Sequence, residues 1–390
     1  MKLETERQVP QGDRAKNWRI ALILCLIVAA TVLFLLPANS DASPNDFAFY
    51  WTAARLVIDG RNPYSSQDTL DFQRRLPFAG KGPLVMLNPP WVLPLILPFG
   101  LLSFSTGKSL WLLLGLLSVF VSVHWLWDLY GAGENRWIAW LVMVSFLPVA
   151  VVLAIGQIGP LIVFGLAGFL RFEARHNEYR AGLFLFLAAL KPHLFFLVWI
   201  ALALCALVQR RWKPLAALLA TLAGASLVTV ITAHGAFRQY IELLGKEKAI
   251  FQETPTLGGL LRHISGIPAL QYVPIAVAAV WFAVYWTRWR SNWEWRRRMP
   301  NLLLVSIATV SYAWFFDQVV LLPAVLYATA LAIRSRKRLT PLVLGYLFIN
   351  CLVLFLLLSH RTVFYYSWTA LAWLILGAAV QRGLSQRREA

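Results

Sequence analysis

Long apolar runs alternate with short polar, arginine-rich segments from Ile20 to Val380, and the runs are of bilayer length. A helix rising about 1.5 Å per residue needs roughly 20 apolar residues to cross the hydrocarbon core. The pattern predicts a first transmembrane helix at 18–36 and further spans at 105–127, 213–232, 271–289, 299–316, 318–333, 340–358 and 362–380. Two runs are too long for one crossing. Residues 137–172 are interrupted by Gly156-Gln157-Ile158-Gly159-Pro160, and residues 181–208 by Lys191-Pro192-His193, so each reads as two pieces. The expected fold is therefore all-α: a polytopic membrane protein of about twelve transmembrane helices, forming one integral-membrane domain over 1–390. The period-two alternation of a transmembrane barrel is absent from the sequence.

The polar stretches divide the chain further. Residues 37–104 read as a long external loop, and 105–380 as the rest of the bundle with a second external loop at 233–270. In the first loop Phe47, Tyr50, Trp51, Ala54 and Ile58 recur at helical spacing. That spacing predicts an amphipathic helix lying in the membrane interface, ended by Gly60-Arg61-Asn62-Pro63. After Asn88-Pro89-Pro90, further prolines at 94 and 98 argue against a regular span and for an interfacial or re-entrant piece.

Composition adds one constraint. The chain is 59% hydrophobic and 14% charged, which excludes an ordinary soluble domain. Its net charge of +18 would suit a nucleic-acid binder, but about two thirds of the 36 lysines and arginines sit in short loops assigned to one side. The charge is thus topological, the partner is the lipid bilayer, and no nucleic acid is expected. The asymmetry places both termini in the cytoplasm, with the first span retained although its basic flank and Ala38-Asn39-Ser40 resemble a signal peptide; the plasma (inner) membrane is the expected location. Cys25, Cys205 and Cys351 lie inside apolar runs and read as small packing residues.

This topology puts Asp46, Gln157, Lys191, His193, Asp317 and Arg361 on the external face. Each has a structural reading beside a chemical one. Asp46 precedes the predicted helix as an N-cap would, and an acid at the surface beside aromatics also suits a general base. Asp41 competes with it but has no helix attached. Lys191 at a proline break is either a snorkelling end-of-helix lysine or a phosphate ligand within membrane depth. Gln157 and Asp317 either satisfy backbone groups at helix ends or bind sugar hydroxyls. His193 reads as a local hydrogen-bonding group or a site residue, and Arg361 as a headgroup or phosphate contact. Tyr50 and Trp51 belong to an interfacial aromatic belt or stack on a sugar. There is no Walker A loop, HExxH, CxxC pair or external Asp-x-Asp, so no metal or cofactor is indicated.

The ordered set Asp46-Phe47 with Tyr50 and Ala53-Ala54, Gly60, Pro63-Tyr64, Asn88-Pro89-Pro90, Gly156-Gln157, Ala189-Leu190-Lys191-Pro192 and Phe316-Asp317 resembles the membrane GT-C glycosyltransferases, in particular the family 87 polyprenyl-phosphate-mannose-dependent type. The similarity runs over about 18–330, and Trp51 departs from the paired tyrosines often found there. The resemblance implies that Asp46 is the catalytic base. It also implies inverting, metal-independent transfer of a hexose, mannose by analogy, from a polyprenyl-phosphate donor to a hydroxyl of a lipid-linked or cell-envelope glycan at the external face. Lys191, Gln157, Asp317, Tyr50, Trp51, Arg361 and His193 would bind substrate. A transporter or flippase of lipid-linked glycans is the alternative, because it too needs many helices and buried polar groups. An O-antigen-ligase-like enzyme fits less well, because that class carries its large external loop late in the chain.

Overall fold

A computed structural model describes residues 46–74, 82–131, 135–246 and 254–382. The expected first span at 18–36, like Asp41 and Cys25, lies outside the described residues. Everything described is helix, turn or irregular chain, with no strand among the described residues. The helices are α1 (Phe47–Ile58), α2 (Ser66–Gln73), α3 (Leu93–Gly100), α4 (Phe104–Leu129), α5 (Arg136–Ser145), α6 (Leu147–Ala154), α7 (Gly159–Ala174), α8 (Glu178–Leu185) and α9 (Phe196–Val208). They continue as α10 (Lys213–Thr232), α11 (Ala236–Lys246), α12 (Leu257–Ser265), α13 (Val273–Trp289), α14 (Trp295–Thr309), α15 (Leu322–Arg334), α16 (Arg336–Leu358) and α17 (Thr369–Arg382).

Six helical stretches among the described residues are long and apolar enough to cross a membrane, or seven if α5 and α6, bent by 57°, count as one span. The remaining expected spans are shorter helices: 16 residues in α7, 8 in α8, 13 in α9 and 15 in α14. The cause is local. Pro148 adds a bend inside 137–172 beyond the expected Gly156–Pro160 break, and Lys191-Pro192 separates two 3-10 turns in 181–208. The other expected spans appear within a few residues of their predicted positions.

Periodicity here sorts two apolar faces instead of an apolar from a polar one. On α4, Leu110, Leu113, Leu117 and Phe120 point outward, while Trp111, Gly115, Ser118, Ser122 and Leu126 are buried. The inward face is the one with small residues, which lets α7 approach closely. The stretch Phe315–Arg334 is the centre of the bundle, with 83% of its apolar window buried against 17% for Lys213–Thr232.

The chain after the expected first span departs from its predicted setting. α1 is no interfacial helix: Phe47, Ala48, Tyr50, Trp51, Ala53, Ala54, Leu56 and Val57 are all buried, so protein surrounds nearly its whole circumference. Ile58, expected on the apolar face, is the residue left exposed. α1 packs on α3, where Gly100 lies so close that an added Cβ would sit 2.7 Å from Ala54 Cβ. The proline-rich piece forms a short apolar helix, Pro90–Gly100, in keeping with its predicted inability to span. Gly60, at φ +68°, ends α1 as expected.

A second close approach holds the centre. At Gly159 a Cβ would come 2.7 Å from Val319 Cγ1 and 2.9 Å from Val152 Cγ2. Gly159→Val should therefore cost about 1–3 kcal/mol of stability and lower the melting temperature in lipid nanodiscs. Gly224, whose Cβ would meet nothing within 4 Å, is the control, and Gly224→Val should melt with the wild type.

Candidate active site

Two helix breaks build the site. At the first, Gly156 adopts φ +72°, a conformation that favours glycine, and turns the chain from α6 into α7. The carbonyls exposed by this break are closed from outside: Trp111 Nε1 on α4 donates to Gly156 O (2.8 Å), and the Asp46 amide donates to Ile155 O (2.6 Å). Asp46 is thereby fastened to the break itself. The Gln157 side chain completes the link. Its Nε2 donates to Asp46 Oδ2, and its Oε1 accepts from Tyr50 OH at 2.9 Å, one turn into α1. Asp46 occupies the N-cap position of α1, but its backbone is helical (φ −66°, ψ −16°) and its side chain makes no capping bond. The carboxylate faces Gln157, so the capping reading holds for position only.

At the second break Lys191 (φ −138°, ψ 72°) separates the 3-10 turns Phe186–Leu190 and Pro192–Phe195. Its flanking carbonyls are also taken up: Trp91 Nε1 donates to Ala189 O (2.8 Å), Asn88 Nδ2 to Leu190 O (2.9 Å) and Trp199 Nε1 to Pro192 O (2.8 Å). With its backbone held, Lys191 extends Nζ to Asp317 Oδ1 at 2.7 Å, in a pair whose side chains are only 12% and 3% exposed. Asp317 Oδ2 accepts from the Trp314 amide (2.9 Å), so the acid ties down its own 3-10 turn, Phe315–Leu321, while it neutralises the lysine. That turn packs on α6 and α7 and brings the second break to the first.

The two centres share one electrostatic field. Burial pushes the Asp46 carboxyl up from 3.8 to about 6; the Gln157 hydrogen bond and the Lys191 charge pull it back, and Asp317 adds to the rise. A carboxyl poised near 6 is half converted to a base just below neutrality, which suits proton abstraction at physiological pH. His193 lies in the field of both Lys191 and Asp317, with its ring 5.4 Å from that of Tyr312. Among the described residues no group of three or more histidine, cysteine or acidic side chains could hold a metal ion.

Six of the eight predicted site residues thus converge: Asp46, Tyr50, Gln157, Lys191, His193 and Asp317. Trp51 does not join them. It is buried against Phe72 and Phe104, and its Nε1 donates to Leu102 O (3.1 Å), so it has no free face for a sugar. Arg361 is exposed, with its guanidinium 5.6 Å from the Tyr365 ring, and no bond joins it to the cluster. Tyr312, Trp314 and Tyr240 are not among the predicted site residues, and Trp314 enters the sequence pattern only as part of the aromatic run before Asp317. The alternating aromatics of 312–316, directly before Asp317, were the available signal.

The profile of glycosyltransferase family 87 matches residues 87–316. The chain belongs to glycosyltransferase family 87. It is accordingly a membrane glycosyltransferase. The family 87 match takes in Asn88, Gln157, Lys191 and His193 and stops one residue before Asp317; Asp46 lies outside it and is joined to it by the Gln157 bond. This family 87 chain matches no curated protein and no solved structure.

The raised carboxyl has a consequence for stability. An unfolded Asp46 ionises near 3.8 and the folded one near 6, so the folded state holds the proton longer and loses stability as pH rises between these values. Asp46→Asn keeps an acceptor for Gln157 without the buried charge. The variant should gain on the wild type in melting temperature as pH rises from about 4 to 7; parallel melting curves across that range would show that Asp46 is not perturbed.

Proposed function

We propose that this glycosyltransferase moves a hexose, mannose by analogy, from a polyprenyl-phosphate donor to a hydroxyl of a glycolipid or envelope glycan at the external face of the plasma membrane. The observation that carries the proposal is Asp46, poised near 6 and held by Gln157 at one helix break, within the electrostatic reach of the buried Lys191–Asp317 pair at the other. The reading counts the chain on either side of each break as a separate pass, twelve in all, although these helices, at 8 to 16 residues, are each shorter than a full crossing. A donor whose lipid tail stays in the bilayer would reach such a site from the side.

In this mechanism Asp46 takes the proton of the acceptor hydroxyl as its oxygen bonds to the anomeric carbon. The bond from that carbon to the phosphate oxygen breaks on the opposite face, and its electron pair leaves with the phosphate. The anomeric centre inverts. Lys191, a point charge that already tolerates an acidic partner, meets the negative charge developing on the leaving group. Gln157 holds the base in register through Asp46 Oδ2 while Tyr50 fixes Gln157. Asp317 holds the Lys191 ammonium group in place until the donor arrives. No separate acid is required, because a phosphate monoester leaves without protonation.

Three outcomes test this. Asp46→Asn should lower transfer from a polyprenyl-phosphate hexose in nanodiscs by about 10²–10⁴-fold while folding normally. The wild-type rate should rise with pH through about 6 and level off above it, since only the ionised carboxylate accepts the proton. Full activity of Asp46→Asn would remove the base. Lys191→Gln should raise the KM for the lipid-phosphate donor. Removing one member of a buried pair costs about 3–5 kcal/mol, so Lys191→Gln with Asp317→Asn is the folding control. An unchanged donor KM in a folded double variant would remove Lys191 from the phosphate site.

A further inference from the structure

The chain between α14 and the Phe315–Leu321 turn does more than connect them. Val310 (φ −60°, ψ 144°) and Trp314 (φ −105°, ψ 162°) bracket an irregular stretch that bends at Ser311 and Tyr312. Trp314 and Phe316 hold their rings within 5° of parallel at 6.2 Å, and Trp314 Nε1 donates to Tyr312 OH at 3.1 Å. The Tyr312 ring is 5.4 Å from that of His193, and Lys191 Nζ lies 5.2 Å from the Phe316 ring. Since Lys191 and His193 are two residues apart, these contacts close into a rim: Lys191, Phe316, Trp314, Tyr312, His193. The rim is only partly buried, while Asp317 behind it is 3% exposed. Tyr312 also lies in the field of Asp46 and of Tyr240, which brings the rim to the base.

We propose that this rim, with Tyr312 and Trp314 as its aromatic faces, is a pyranose-binding subsite. A pyranose ring offers an apolar C–H face and an edge of hydroxyls. Large rigid aromatics with polar tips match the first, and the imidazole, ammonium and carboxylate groups beside them match the second. The aromatics expected from the sequence to do this, Tyr50 and Trp51, are buried in packing and hydrogen bonds, whereas Tyr312, Trp314 and Phe316 are only partly buried.

The rim is also held from outside. Ser311 O accepts from Gln271 Nε2 (3.0 Å), Thr254 Oγ1 (3.3 Å) and Thr256 Oγ1 (3.4 Å), and Arg262 Nη1 fixes Gln271 Oε1 (3.1 Å). A carbonyl has two lone pairs, so three donors within reach keep it occupied and hold the connecting chain still. Residues 254–271 therefore position the aromatic faces and touch no reacting atom.

This inference rests on the glycosyltransferase reading of the same site but not on the identity of the donor. The test is saturation-transfer NMR of methyl α-D-mannopyranoside and methyl β-D-glucopyranoside with Asp46→Asn protein in nanodiscs, which avoids sugar-headed detergents and needs no turnover. Ring protons should saturate, and adding Tyr312→Ala or Trp314→Ala should weaken binding about tenfold, whereas Tyr312→Phe should retain most of it. In otherwise wild-type enzyme, Tyr312→Ala should raise one KM: the acceptor's if the rim holds the acceptor sugar, the donor's if it holds the transferred one. Gln271→Leu should raise the same KM about threefold with kcat held, and a fall in kcat alone would overturn its positioning role. Glycoside binding and both KM values unchanged in Tyr312→Ala would overturn the subsite, even if Asp46 and Lys191 behave as proposed. Binding lost in Tyr312→Ala with no transfer from a polyprenyl-phosphate donor would leave the subsite standing and remove only the donor assignment.

Discussion

A peptide group in the low-dielectric centre of a membrane protein must find a hydrogen-bond partner, and each helix break here frees carbonyls that the helix no longer satisfies. In this molecule neighbouring side chains supply the donors. Trp111 closes Gly156, Asn88 and Trp91 close Leu190 and Ala189, Trp199 closes Pro192, and Thr229 Oγ1 reaches Pro90 O at 2.9 Å. Each of these bonds draws another segment toward a break. The breaks are thus the points to which the surrounding elements are tied, and the polar side chains gather around them for the same reason.

The two acids show how one constraint yields two roles. Asp46 gives its backbone amide to a broken helix and one carboxylate oxygen to Gln157, and burial then keeps its proton on until about pH 6. Asp317 is buried more deeply but has a lysine on one oxygen and a backbone amide on the other. One acid is supported by a neutral amide and is disposed to take a proton; the other is paired with a cation and anchors it. The separation of roles follows from their partners, since both are aspartates at the start of a helical segment.

Much of the architecture was legible because helix-breaking is local. Gly156 to Pro160 and Lys191-Pro192 announced both breaks, and apolar run length announced Phe104–Leu129 and Lys213–Thr232 almost to the residue. The interfacial reading of α1 went astray for a physical reason. Phe47, Tyr50, Trp51 and Ala54 form an apolar face, but Ala48, Ala53, Leu56 and Val57 are apolar as well, and one face cannot be told from a buried circumference by spacing alone. Trp51 was offered for stacking on the strength of an exposed face that packing against Phe72 and Phe104 removes. Tyr312 carries no mark in the sequence, because the irregular connector that holds it has no periodicity.

By itself, then, the sequence determined the helical class, the positions of the breaks, the scarce polar residues placed beside them and the resemblance to a glycosyltransferase family. These depend on run length, residue type and order, all of which are properties of neighbours along the chain. Only the tertiary structure decided the pairings. Gln157 joins Asp46 across 111 positions, Lys191 meets Asp317 across 126, and Tyr50 is drawn inward while Tyr312 stays at the opening. Such choices are made by helix packing, which selects among several chemically equivalent partners the one whose backbone it brings within reach.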